Sequence, residues 1–101
     1  INPAQVETQI QGSVAEALGA ALRVKISVAD GRTEQSNFDS YPIVRIDEAP
    51  EIDVAIVESG AALGGVGEPG VPPLAGALCN AVFAATGRRI RSLPLADHGL
   101  A

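Results

Sequence analysis

Apolar residues return every three or four positions through the first part of the chain. Val6, Ile10, Val14, Ala17, Leu18, Ala21 and Leu22 form one stripe, which is the signature of an amphipathic helix. Asn2 stands where an N-cap is wanted, Pro3 fits the first helical position, and Gln5 occupies a capping-box position. Gly12 and Ser13 interrupt the stripe. A glycine inside a helix costs up to about 1 kcal/mol relative to alanine, so close packing is expected there. From Arg23 the period becomes two: Val24, Ile26 and Val28 alternate with Lys25 and Ser27. Asp30-Gly31 then supplies a hairpin turn, with 32–36 as the returning strand. Residues 37–42 are irregular and carry Phe38 and Tyr41. Ile43 to Ile46 reads as a short strand and 47–51 as an acidic loop broken by Pro50. In the next segment Ile52, Val54 and Ile56 alternate with Asp53 and Ala55, predicting a third main strand.

Residues 59–70 are rich in glycine. Pro72 and Pro73 suit the first turn of a second helix, whose stripe is Leu74, Ala77, Leu78, Ala81, Val82 and Ala85. Gly87 is its natural stop. A last strand is expected over Ile90–Leu95, with a loose tail from Ala96. The order α-β-β-β-α-β predicts an α+β fold, two helices on a mostly antiparallel sheet of about four to five strands. Residues 1–101 read as a single domain without internal repeats.

Composition narrows the classes. The 101 residues are 47% hydrophobic but only 3% aromatic, so the core is aliphatic. A net charge of -5 argues against nucleic acid or an anionic membrane as partner, since both attract clustered Lys and Arg. The few clustered arginines, Arg88, Arg89 and Arg91, follow the second helix, where its negative end suits them. One cysteine, Cys79, excludes an internal disulfide. No apolar run approaches the roughly 18 to 20 residues of a membrane span. The opening Ile1-Asn2-Pro3 reads as a cut inside a longer polypeptide.

Gly65-Val66-Gly67-Glu68-Pro69-Gly70 matches G-x-G-x-x-G. In a dinucleotide site that motif leaves its strand directly, whereas here 59–64 intervene and Pro69 removes a donor. For Glu68 two readings stand. It is a first-turn acid beside a helix dipole, or a placed catalytic group that flanking glycines let a ligand approach. Three neighbouring prolines stiffen its setting. Gln9 reads as a solvent-facing amide, Cys79 as a packed thiol, and His98 as a solvated tail residue. Asp47, Glu48, Glu51 and Asp53 read as a solvated acidic loop without a calcium-ligand pattern.

The run VGEPGVPPLAGALCNAVFAATGRRIRSLPL resembles the C-terminal part of molybdopterin-binding large subunits in the xanthine oxidase (molybdenum hydroxylase) family. The likeness is nearest to isoquinoline 1-oxidoreductase beta subunits and membrane-associated aldehyde dehydrogenases of bacteria. Asn2-Pro3, Gln9-Ile10-Gln11-Gly12, Gln35-Ser36-Asn37-Phe38, Tyr41-Pro42 and Arg45 occur in the expected order. The resemblance implies that Glu68 is the active-site base, taking the proton of an attacking hydroxyl during hydroxylation of an aldehyde or N-heterocycle. Water is then the oxygen source. It further implies that Gln9 contacts the pterin and that Gly67 approaches the metal centre by backbone, with no protein ligand to the metal. Gln11 and Glu16 depart from the family pattern, which usually has glutamate and glutamine at those places.

The implied cofactor is a molybdenum-molybdopterin in the cytosine dinucleotide form. Its implied partners are the remainder of the large subunit, a small subunit with two 2Fe-2S clusters, and a small-molecule substrate. Relatives of this kind are often periplasmic or associated with the inner membrane. These residues alone are expected to be inactive and to hold no cofactor tightly. The competing reading is a non-catalytic structural or interaction module in which Glu68 only caps a helix.

Overall fold

Helix α1 spans Pro3–Leu22 in the structure, a computed structural model that describes residues 2–101. Asn2 caps it, its Oδ1 accepting from the Ala4 N–H at 3.1 Å, and Pro3 occupies the first helical position, where a missing donor costs nothing. The stripe faces inward: Ala17 and Ala21 are buried, and Val6, Ile10, Val14, Leu18 and Leu22 are half-buried. Beside it Ser13 and Gly19 are also buried, so the covered face is unusually small-sided. That lets other backbone come close. A Cβ on Gly19 would lie 3.5 Å from the Val44 nitrogen. Gly12, by contrast, has open space where a side chain would go. The expected close packing belongs to its neighbour Ser13.

The predicted hairpin forms, but it is short. Strand β1, Val28–Ala29, pairs antiparallel with β2, Arg32–Thr33, with Val28 opposite Thr33 and Ala29 opposite Arg32. Asp30 and Gly31 both have positive φ, 50° and 74°, as a two-residue turn of the primed type requires. Glu34 N–H adds one further bond to Ser27 O at 3.0 Å.

The other predicted strands do not form. Among the described residues 43–46, 52–56 and 90–95 pair with nothing, and the sheet has two strands instead of four or five. The physical reason is that alternation is a local pattern, whereas a strand exists only with a ladder partner. Ile52 and Val54 are still half-buried while Asp53 and Ala55 are exposed, so the period-two pattern survives in an unpaired extended segment. The element order is therefore α-β-β-α followed by a 3₁₀ turn.

Helix α2 spans Val71–Thr86, ending at Gly87 with φ 73°, whose N–H bonds Phe83 O at 2.8 Å. No α2 residue is fully buried. Leu74, Leu78 and Val82 are half-buried, while Ala77, Ala81 and Ala85 of the predicted stripe are exposed. Ala77 and Ala81 line an open recess of about 360 Å³ with Val14, Leu18, Leu74, Leu78, Glu48 and Pro50. The two helices thus pack on each other and not on the hairpin.

The tail is anchored, not loose. A 3₁₀ helix, Leu95–His98, packs on α1. Leu95 is the most buried large side chain, 2% exposed, with Ile90 buried nearby. Lys25 Nζ reaches Asp97 Oδ2 at 2.7 Å, and Arg88 Nη2 donates to His98 O at 2.9 Å. Ile90–Leu95 fails as a strand because these anchors and the buried Pro94 turn it onto the helix pair.

The whole is extended. Its radius of gyration is 16.1 Å, against about 13 Å for a compact chain of this length. Ile46, Leu63 and Phe38 are 95%, 83% and 77% exposed, all in the stretch between the hairpin and α2.

Candidate functional site

The turn bearing Glu68 lies against α1. Val71 N–H donates to Glu68 O at 2.9 Å, closing a tight turn over Pro69 and Gly70 that leads into α2. Gly70 has ordinary right-handed angles, φ -77° and ψ -18°, so conformation does not demand glycine here. Space does. A Cβ at this position would run into Ser13 Oγ and would lie 3.3 Å from Val14 Cγ2 and 3.4 Å from Ile10 O. Ser13 itself is 6% exposed, its hydroxyl donating to Ile10 O at 2.9 Å. One end of the turn is thus pressed onto the middle of α1. At the other end Val66 shares a shallow concavity of about 460 Å³ with Gln5, Val6, Thr8 and Gln9.

Gln9 is exposed on α1 and lines that concavity, in keeping with the solvent face expected of it. Gly67 and Glu68 follow Val66 directly but lie outside its lining. Gly67 is exposed, with open space where a side chain would project. Glu68 is exposed, and its carboxylate makes no hydrogen bond or ion pair among the described residues. It does not cap α2: the N-cap is Gly70, and no side chain bonds the helix start. Gln5 is a polar lining residue that its pattern marks only as a cap. The signal for its second place is that it lies one turn before Gln9.

The remaining polar candidates are occupied elsewhere. His98 is half-buried rather than solvated, with Nε2 3.1 Å from both the hydroxyl and the carbonyl oxygen of Ser92. Cys79 is half-buried, beside Asn80, Arg89 and Arg91 in a recess of about 440 Å³. Arg89 stacks over Phe83 at 3.5 Å and donates to Asn80 Oδ1 at 3.2 Å. Within the acidic loop Glu48 is engaged. It accepts from the Arg45 N–H at 3.0 Å and pairs with Arg23 at 2.7 Å. The Arg45 N–H and then the Arg23 guanidinium hold its carboxyl below the usual glutamate range. A further recess of about 350 Å³ is lined by Ile26, Gln35, Ser36, Asn37, Phe38 and Tyr41. Gln35 is fixed there by two bonds to Ser27, at 2.8 and 2.9 Å.

Among the described residues no group of three or more His, Cys, Asp or Glu could hold a metal ion. No helix is long and apolar enough to cross a membrane.

A family model described as a molybdopterin cofactor-binding domain matches residues 1–50. Isoquinoline 1-oxidoreductase subunit beta of Brevundimonas diminuta is 38% identical over 93 residues, 92% of this chain and 12% of that protein. Membrane-bound aldehyde dehydrogenase (pyrroloquinoline-quinone) of Gluconacetobacter polyoxogenes is 30% identical over 95 residues, 94% of this chain and 12% of that protein. The xanthine dehydrogenase molybdenum-binding subunit of Escherichia coli O157:H7 is 33% identical over 107 residues, 99% of this chain and 14% of that protein. The chain belongs to the molybdopterin-binding xanthine oxidase family. It is related to molybdenum oxidoreductase subunits while spanning about an eighth of the length of such relatives. The family model stops short of Glu68, whereas the pairwise matches run through nearly the whole chain.

The residues around Gln9 fit a pterin in chemistry. The amides of Gln5 and Gln9 offer donors and acceptors to the edge of a polar heterocycle, in a concavity that Val66 bounds with an apolar wall. The Thr8 hydroxyl is committed to Ala4 O at 2.9 Å. A metal carried by its own pterin needs no ligand from the chain.

Proposed function

We propose that residues 1–101 are one segment of a large molybdenum hydroxylase subunit and carry part of its active site, with Glu68 as general base. The overall change is a two-electron oxidation of an aldehyde or N-heterocycle with water as the oxygen source: a C–H bond becomes C–OH, and two protons and two electrons are released, the electrons passing to the redox centres. The molybdenum-pterin, in its cytosine dinucleotide form, supplies the two-electron redox change when bound. Gln9 holds the pterin edge through its amide, and Gly67 presents backbone without a side chain in the way. Glu68 takes the proton from the attacking hydroxyl. A carboxylate free of intramolecular partners is available for that task, and a positioned base of this kind contributes about 10² to 10⁴-fold. The observation that carries this reading is that Glu68 is neither a helix cap nor half of an ion pair among the described residues, yet sits on a turn pressed firmly onto α1.

The partners follow from the same reading. The rest of the large subunit covers the exposed apolar surface between the hairpin and α2, and a small subunit with two 2Fe-2S clusters removes the electrons. The test uses the full-length subunit with its small subunit, offered aldehydes and N-heterocycles in oxygen-18 water with an artificial acceptor. Labelled oxygen should enter the product formed from the N-heterocycle, and Glu68→Gln should slow formation of labelled product about 10²-fold or more while molybdenum content stays unchanged. Undiminished labelling in Glu68→Gln at equal metal content would leave Glu68 without the role.

A further inference from the structure

We infer that Ser13 and Gly70 are positioning residues for Glu68, forming a seat in which the fit of one missing side chain sets where the carboxylate points. The inference rests on Glu68 being the base. Three observations carry it. Gly70 sits where its own φ and ψ would suit any residue, so glycine is explained by contact alone. That contact is threefold, to Ser13 Oγ, Val14 Cγ2 and Ile10 O, all within five residues of α1. Ser13, in turn, is the one buried polar residue among those described, its hydroxyl tied to Ile10 O at 2.9 Å, so it is not a flexible tip that swings aside.

The lever arm is short. Gly70 is two residues from Glu68, with the rigid ring of Pro69 between them, and Glu68 O is bonded to Val71 N–H at 2.9 Å. A carbon added at position 70 cannot be absorbed within the turn. It must lift the turn away from α1, carrying Glu68 away from the face on which Gln9 lies. Overpacked sites respond by backbone shift, and a displacement of about 1 Å at a reacting group can cost about 10²-fold in rate. Ser13 is thus a floor on which the turn rests, though it touches no substrate.

The experiment is a rescue in the full-length subunit with its small subunit, reading turnover per bound molybdenum. Gly70→Ala should lower kcat per molybdenum by about 10-fold to 10²-fold, with KM and metal content little changed. Adding Ser13→Ala to Gly70→Ala removes the obstructing oxygen and should restore most of the lost kcat. A merely structural role would instead lower the yield of metal-loaded enzyme and leave turnover per molybdenum intact. Ser13→Thr, which raises the floor by one methyl, gives the same readout if Gly70→Ala accumulates no folded protein, and should lower kcat per molybdenum. Full turnover per molybdenum in Gly70→Ala or Ser13→Thr, beside an inactive Glu68→Gln, would overturn the seat while leaving the base intact. A fully active Glu68→Gln would instead remove the reading beneath it.

Discussion

The helix pair and the stretch from 34 to 63 are built on opposite terms. In the first, α1, the Glu68 turn, α2 and the 3₁₀ tail satisfy their own backbone groups and close on Leu95, Ile90, Ala17 and Ala21. In the second, isolated turns at 37–40 and 45–48 interrupt backbone that forms no ladder. Among the described residues no backbone N–H from 49 to 58 donates to another backbone group, and Ile43, Ile46, Ile56, Val57 and Leu63 are exposed. These peptide groups are mostly exposed and can bond water, and the unpaired extended backbone presents the kind of open edge on which another strand can pair. The candidate site sits on the self-sufficient half. Its turn is held by contacts within the chain, which is why its geometry is interpretable in a segment covering about an eighth of its relatives.

That contrast can be broken at its strongest point first. Leu95→Ala removes the most buried large side chain and should cost about 2 to 5 kcal/mol, measured by denaturant unfolding. A loss no larger than that of an exposed-site change such as Leu63→Ala would mean the helix pair has no real core. Hydrogen exchange sharpens the other half. Amides 51–57 should exchange quickly in the isolated chain and slow by about tenfold or more, about 1.4 kcal/mol of opening free energy, within the full-length subunit. Equal rates in both would show that this edge stays unpaired.

Much of the self-sufficient half is readable because its signals are local. The α1 stripe, the Asn2 cap, the Asp30-Gly31 turn and the Gly87 stop each depend on residues within a turn of one another. The strands expected at 43–46 and 52–56 fail because alternation says a segment could pair, and not whether a partner lies within reach. The tail departs from expectation for the converse reason. Leu95 is buried by α1, more than seventy residues away in sequence, and nothing around Ala96 announces that. For the site, Glu68, Gly67 and Gln9 stand out by motif and resemblance. The seat is half visible: Gly12-Ser13 marks a place of close packing, but only the structure assigns the contact to Ser13 and pairs it with Gly70.

The smallest expected effect lies at the boundary between the halves, where Glu48 joins Arg23 at the end of α1 to the acidic loop. Its carboxyl is held below the usual range, chiefly by the Arg45 N–H and then by Arg23. A depressed folded-state pKa stabilises the fold above the ordinary glutamate range, and that contribution is lost as pH falls through the folded value. The melting temperature should therefore decline modestly on acidification below the ordinary range. Glu48→Gln should flatten that part of the decline and lower Tm slightly at neutral pH. An unchanged pH profile in Glu48→Gln would mean this surface pair contributes nothing, as many do.

The base assignment is tested most directly by a single turnover. The full-length enzyme, loaded with molybdenum and free of oxygen and acceptor, would be mixed rapidly with saturating substrate and reduction of its centres followed. With metal content matched, Glu68→Gln should be reduced about 10²-fold or more slowly than the natural protein. Reduction of Glu68→Gln at the natural rate would contradict the account and leave Glu68 an exposed acid on a well-seated turn.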